Sequence, residues 1–215
     1  MTTETAGQSA SERSYPRAQQ HRRKRALLLS GILLLLMLPF VRSIEADAGA
    51  LHEAVEIVGL LLMLVAIIGR SWCTLYIGGR KSREVVNTGP YSISRNPLYI
   101  FSVAAVAGIG LQTGSITLGF LAAAIALLIF YQLILREEAM LRVRLGLPFE
   151  EYCRHVPRFG PKLSHWRDAM TIVVHPRRLH QTFAEALLFL LAIPLCESIE
   201  KLQDIGMLQP LLHLP

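Results

Sequence analysis

Ile100–Leu135 reads IFSVAAVAGIGLQTGSITLGFLAAAIALLIFYQLIL, 36 residues without one charge. A membrane-crossing helix needs about 20 apolar residues, so the run is too long for one helix and suits two. The polar tetrad Gln112-Thr113-Gly114-Ser115 stands inside it, where the chain must reverse. This predicts a helical hairpin, with helices over 97–112 and 116–142 and both open ends on one side. The expected fold is all-α, a polytopic transmembrane bundle.

The rest of the chain agrees. Of 215 residues 52% are hydrophobic, more than the surface of a soluble domain of this size tolerates. Ala26–Val41 carries no charge, and a helix over 51–70 carries only His52, Glu53, Glu56 and the terminal Arg70. A fifth apolar segment, 183–199, is weaker, because only Ala186–Cys196 is uncharged and Pro194 sits inside it. Such short runs more often pack on a bundle or lie at the interface. Four to five membrane helices are therefore expected. The first run also resembles a signal peptide, with Arg22-Arg23-Lys24-Arg25 before it and Ala46-Asp47-Ala48 after it. The distance of that site from the apolar core, beyond Pro39, Arg42 and Glu45, favours a retained helix.

Charge placement orients the helices. Basic residues crowd 13–25, 70–95 and 136–178, whereas the connections at 42–50 and 112–115 hold only Arg42. The positive-inside rule puts the N-terminus and the open ends of the hairpin in the cytoplasm. The net charge of +6 is thus a topology signal, and no recognition motif for nucleic acid accompanies it. Cys73, Cys153 and Cys196 are too widely spaced for a disulfide framework or a zinc motif. Residues 1–21 are polar and expected to be disordered.

Two charged clusters flank the hairpin. Before it stands Ser94-Arg95-Asn96-Pro97-Leu98-Tyr99. Pro97 suits the first helical position and Asn96 the cap, so this helix start, with Arg95 beside it, can receive a carboxylate or phosphate. The plainer alternative is an arginine reaching for lipid head groups. After the hairpin stands Arg136-Glu137-Glu138. Two glutamates at a helix C-terminal end oppose its dipole, and acidic residues at a membrane boundary usually face a cavity or a partner. A cationic ligand would remove the conflict; solvated surface charge is the alternative. With Tyr91, Tyr99 and Tyr152 nearby, the clusters together suit S-adenosylmethionine, which bears a carboxylate, an ammonium and a sulfonium, although other zwitterions share these features.

The ordered set Gly89-Pro90-Tyr91, Arg95-Asn96-Pro97-Leu98-Tyr99, Arg136-Glu137-Glu138-x-x-Leu141, Gly146-x-x-x-x-x-Tyr152 and Val156-Pro157-Arg158-Phe159 resembles the isoprenylcysteine carboxyl methyltransferase and phospholipid methyltransferase superfamily of integral-membrane enzymes. The resemblance covers roughly residues 70–162. It implies a bundle of about five helices that binds S-adenosylmethionine at the cytoplasmic face of a bacterial inner membrane and methylates a lipidic or small hydrophobic acceptor. The methyltransferase domain would then occupy 22–182, followed by a C-terminal apolar helix and tail over 183–215. Carried over by position, Tyr91, Arg95, Asn96, Pro97, Tyr99, Glu137, Glu138 and Phe159 would bind the cofactor. Arg95, Glu138, Tyr152 and Arg158 would serve the chemistry, with Tyr152, Arg158 and Phe159 closing the pocket. The chain departs from the pattern twice: Asn96 stands where histidine is frequent, and Phe101-Ser102 where a glycine is common.

The acceptor stays open at this stage. A prenylcysteine carboxylate needs no base, whereas a phospholipid amine must first lose a proton, for which Glu138 or His155 is available. Small thiols are also conceivable, and so are an NADPH-dependent reductase on a related bundle and a non-catalytic membrane protein. His52-Glu53-x-x-Glu56 has helical spacing, but it is not the two-histidine zinc motif and reads as helix packing or a polar lining near the outer face. No metal site is expected, and the oligomeric state is not legible.

Overall fold

The computed structural model describes residues 41–43, 49–81, 83–209 and 212–214. The tail at 1–21 and the first apolar run, save for Val41, lie outside the described residues, as does the choice between anchor and signal peptide.

Helix α1 (Ala50–Ile77) runs 28 residues, seven beyond the expected end at Arg70. The extension, Ser71–Ile77, carries no charge and turns Cys73, Thr74 and Tyr76 inward. It stops at Gly78, whose N–H donates to Thr74 O at 2.8 Å, and Gly79 reverses the chain at φ +78°. One buried turn, α2 (Pro90–Ile93), leads to α3 (Pro97–Leu111), which begins with proline in its first turn. At about 1.5 Å per residue α3 is about 22 Å long, shorter than a hydrocarbon core of about 30 Å.

After the Gln112–Ser115 turn, Ser115 caps α4 (Ile116–Leu145) by accepting from Leu118 N at 3.2 Å. Gly146 ends α4 at φ +60°, with its N–H on Arg142 O, and Pro148 sits in the first turn of α5 (Leu147–His155). The C-terminal helix departs from expectation. It runs as α6 (Pro176–Leu187), a 3₁₀ turn (Leu188–Leu191) and α7 (Ala192–Asp204). Pro194 falls in the first turn of α7, where a missing N–H costs little, so the apolar run is joined to helix on both sides. Pro176–Asp204 is thereby long and apolar enough to cross a membrane, as are α1 and α4.

Small residues set the packing. A Cβ on Gly59 of α1 would lie 2.8 Å from Gly108 O of α3, and one on Gly110 would lie 2.8 Å from Gly119 Cα of α4. Glycine at these crossings lets the backbones meet, as is usual between membrane helices. Val41–Ser43 (β1) pairs in parallel with Leu212–Leu214 (β2). Apart from that three-residue pair the regular structure among the described residues is helical, and the fold is an all-α membrane bundle.

At the Ile77 end of α1, loops close over the bundle. Gly89 N–H donates to Arg167 O at 2.7 Å, Arg95 N–H to Pro157 O at 2.8 Å and Lys162 N–H to Ile93 O at 3.1 Å. Trp72 stacks on Trp166, and Tyr76 Oη donates to Asp168 at 2.7 Å. These ties hold the segment before α3 against the segment after α5, and so fix the floor of a cleft.

Candidate functional site

The cleft opens where the start of α3, the end of α4 and α5 converge. Tyr91, Arg95, Asn96, Tyr99, Glu137, Glu138 and Tyr152, all expected as site residues, line it. Their convergence follows from the hairpin, which returns the end of α4 beside the start of α3.

Glu138 is 3% exposed and is gripped by arginines. Arg158 donates through Nε at 3.1 Å and through Nη2 at 2.8 Å, one bond to each carboxylate oxygen. Arg95 Nη1 lies 3.3 Å away and Arg142 Nη2 3.7 Å away. Asn96 Nδ2 adds a long contact of 3.5 Å. The hydrogen bond to Glu138 pushes the Arg158 guanidinium above its already high value. Both oxygens of this carboxylate are thus taken up by its neighbours.

Glu137 has a different setting. Tyr99 Oη donates to it at 2.7 Å and Lys81 Nζ lies 2.6 Å away, with its side chain 16% exposed toward the cleft. Tyr152 Oη donates to Tyr91 O at 2.8 Å. Burial pushes the phenols of Tyr91 and Tyr152 up, so both are neutral hydrogen-bonding groups at physiological pH. His155 binds Glu151 O on the outside of α5 and does not line the cleft.

Three expected residues stand behind the lining. Pro97 is buried at the first turn of α3. Arg158 holds Glu138 without lining the cleft, its guanidinium 5.9 Å from the Tyr131 ring centre. Phe159 stacks on Tyr131 and packs against the cluster of Tyr99, Phe130 and Ile134. Asn96 does not cap α3 with its side chain; the amide turns to Glu138 and to Arg158 O instead.

The cleft also contains residues that sequence reasoning missed. Lys81, Glu84 and Val86 come from the loop after α1, and Leu98, Leu141, Leu145 and Phe149 form its apolar wall. The helical spacing of Leu141 and Leu145 after Glu137 and Glu138 could have shown the wall; nothing local marks Lys81.

The residues fit a zwitterionic ligand with an apolar body. Arg95 is 12% exposed by side chain, lines the cleft, and keeps a buried Nε without a hydrogen-bond partner. A buried unsatisfied donor is costly, and a carboxylate would satisfy it. Glu137 with Tyr99 could face a cation, and the leucines and Phe149 could cover an apolar ring.

A sequence profile of the phospholipid methyltransferase family matches residues 54–146. The nickel-cobalt-cadmium resistance protein NccN of Alcaligenes xylosoxydans xylosoxydans is 40% identical over 140 residues, 65% of each chain. The cobalt-zinc-cadmium resistance protein CzcN of Cupriavidus metallidurans is 36% identical over 157 residues, 73% of this chain and 72% of CzcN. The chain belongs to the isoprenylcysteine carboxyl and phospholipid methyltransferase superfamily. It spans somewhat less than two thirds of the length of NccN. No solved structure matches it.

The phospholipid methyltransferase match covers Arg95, Asn96, Tyr99, Glu137 and Glu138 but ends before Tyr152, Arg158 and Phe159. The structure joins the two sets through the Glu138–Arg158 pair and the Tyr152–Tyr91 bond. It also accounts for both departures from the family pattern. Asn96 turns its amide to Glu138 at 3.5 Å and to Arg158 O at 3.4 Å. Phe101 packs into the notch left by Gly69, where a Cβ would lie 2.3 Å from its ring, and the Ser102 hydroxyl accepts from Arg70.

Proposed function

We propose that the protein is an integral-membrane, S-adenosylmethionine-dependent methyltransferase acting on a lipidic or small hydrophobic acceptor, with the cleft on the cytoplasmic side. The observation that carries this reading is the pairing, in one cleft, of a buried arginine with an unsatisfied Nε and a separate glutamate backed by tyrosine. Arg95 would receive the ligand's carboxylate and Glu137 with Tyr99 its cationic end, while Glu138 holds Arg95 and Arg158 in place. Tyr152 would fix the loop of Tyr91, and Phe159 would support Tyr99 through the cluster behind it. Bound there, S-adenosylmethionine would supply an electrophilic methyl group on a sulfonium. The chain's own task is then to align the acceptor, at about 3–3.5 Å, and to exclude water.

The pinned state of Glu138 favours an acceptor that arrives already anionic, such as a carboxylate or thiolate, over an amine that needs a base. NccN and CzcN are named as metal-resistance proteins, and we place the methyl transfer of this chain in the same physiological setting. The test is calorimetry on detergent-purified protein. S-adenosylhomocysteine should bind and NADPH should not, and Arg95→Ala should abolish the binding. Membranes incubated with methyl-labelled S-adenosylmethionine then report the acceptor by whether label enters lipid, protein or a volatile product. NADPH binding with no response to S-adenosylhomocysteine would overturn the reading in favour of a reductase.

A further inference from the structure

A second constellation lies at the other end of α1, away from the cleft. His52 Nε2 is 3.4 Å from Glu56 Oε1, one turn along the same helix, and 3.7 Å from Glu200 Oε1 on α7. One donor atom from each of the three residues lies within 4.8 Å of the others. The spacing His52-x-x-x-Glu56 alone suggests nothing more than packing. The third donor comes from the far end of the chain, and sequence spacing could not supply it.

The dimensions suit a transition-metal ion. With metal–ligand bonds of about 2.1 Å, a tetrahedral site has ligand–ligand edges of about 3.4 Å. The His52–Glu56 separation meets that edge, and the His52–Glu200 separation exceeds it by a few tenths. The imidazole is also held in a fixed orientation. Gly114, at φ +68°, lies against its edge so closely that a Cβ there would come 1.9 Å from His52 Nδ1. The side chain of His52 is 14% exposed, and those of Glu56 and Glu200 are about a third exposed. The site is thus walled on the bundle side and open toward solvent, so an ion can enter and keep water in a remaining position.

An imidazole with two carboxylates selects borderline divalent ions such as Zn²⁺, Co²⁺ or Ni²⁺ over Ca²⁺ and Mg²⁺, which prefer all-oxygen sites. Occupancy would also have a mechanical consequence. Pro176–Asp204 is the least buried of the three helices long enough to cross a membrane. It touches α1 near the cleft through Thr74 and Thr182 and through Arg70 against Phe189. An ion shared by α1 and Glu200 would fasten its other end.

We propose that His52, Glu56 and Glu200 form a binding site for one divalent transition-metal ion, which clamps the C-terminal helix to α1. The proposal stands independently of the methyl-transfer reading, because its test needs no turnover. Co²⁺ is titrated into metal-stripped, detergent-purified full-length protein and followed by visible absorption, with Zn²⁺ as competitor. One equivalent per chain should bind with the intense bands of a low-coordinate site, and Zn²⁺ should displace it. His52→Ala and the near-isosteric Glu200→Gln should each weaken binding by about 100-fold or more, as expected when a ligand is lost. Zn²⁺ should raise the melting temperature of the wild-type protein but not that of Glu200→Gln. Absence of a bound equivalent in the wild type, or its survival in both variants, would overturn the proposal and leave an ordinary His–Glu ion pair. If His52→Ala fails to fold, Glu200→Gln decides alone, since its side chain is one-third exposed.

Discussion

Replacing Glu138 by glutamine keeps the shape of the side chain and removes the charge that three arginines share. The carboxylate receives two bonds from Arg158, at 3.1 and 2.8 Å, and a third contact from Arg95 at 3.3 Å. Both guanidiniums would remain in place with like charges facing each other. Breaking a fully buried pair by removing one partner costs about 3–5 kcal/mol. Here Arg158 is 28% exposed and Arg142 46% exposed by side chain, so water compensates part of the loss. The expected destabilisation is about 3 kcal/mol, which for a chain of this size corresponds to a melting point lower by about 6–12 °C.

A double-mutant cycle isolates the pair. Glu138→Gln, Arg158→Gln and the double variant are compared with wild type by thermal unfolding in detergent. A bidentate, charge-assisted pair should show a coupling of about 1.5 kcal/mol. S-adenosylhomocysteine affinity, measured on the same samples, should fall in both single variants because Arg95 loses its support. Wild-type melting for Glu138→Gln, together with a coupling below about 0.5 kcal/mol, would refute the view that Glu138 organises the cleft.

Two further outcomes follow from the packing and from the phenols. Gly69→Ala should destabilise the protein by about 1–3 kcal/mol through overpacking against the Phe101 ring; in a Phe101→Ala background the same substitution should cost much less, and thermal melts of the four chains of the cycle check it. The phenols of Tyr91 and Tyr152 are raised in the folded state by burial, so their neutral forms contribute stability in full below the unfolded value of about 10. That contribution is lost as pH climbs from about 10 toward the folded values. Ultraviolet titration should find these two of the six tyrosines resistant until the protein unfolds, and titration of every tyrosine near pH 10 without unfolding would contradict the structure.

The hairpin was legible because its signals are local. An uncharged run twice the length of a span, a polar turn inside it, and Gly146 followed by Pro148 fix α3, α4 and their reversal. The meeting of Arg95 and Asn96 with Glu137 and Glu138 then follows from connectivity alone. Other features rest on contacts between distant segments and leave no local trace. Lys81 on Glu137 and Gln112 Nε2 on Glu56 O are of this kind. The extension of α1 to Ile77 escaped because the charge of Arg70 marks an end to the apolar run, although the uncharged Ser71–Ile77 continues the helix beyond it. The full length of the C-terminal helix escaped because only Ala186–Cys196 is uncharged and Pro194 sits inside it; Pro194 falls in the first turn of α7, directly after the 3₁₀ turn, and the helix resumes there. Asn96 carried a strong cap signal, yet its side chain is drawn away by a carboxylate that only the hairpin brings near.

The two adjacent glutamates of the cleft have different partners. Adjacent residues on a helix point about 100° apart, so Glu137 and Glu138 cannot serve the same partner. Glu138 turns inward and neutralises one of the two charges of Arg95 and Arg158, leaving a net positive locus at the start of α3. Glu137 turns toward the opening, where Tyr99 and Lys81 hold it. The cleft therefore holds two separate charge groupings, Glu138 with the guanidiniums of Arg95 and Arg158, and Glu137 with Lys81. A simple anion-binding site would need no Glu137, and a simple cation site would need no buried guanidinium with an unsatisfied Nε. On the proposed function, a ligand bearing both charges would use the two together, its cation taking the place of Lys81 at Glu137.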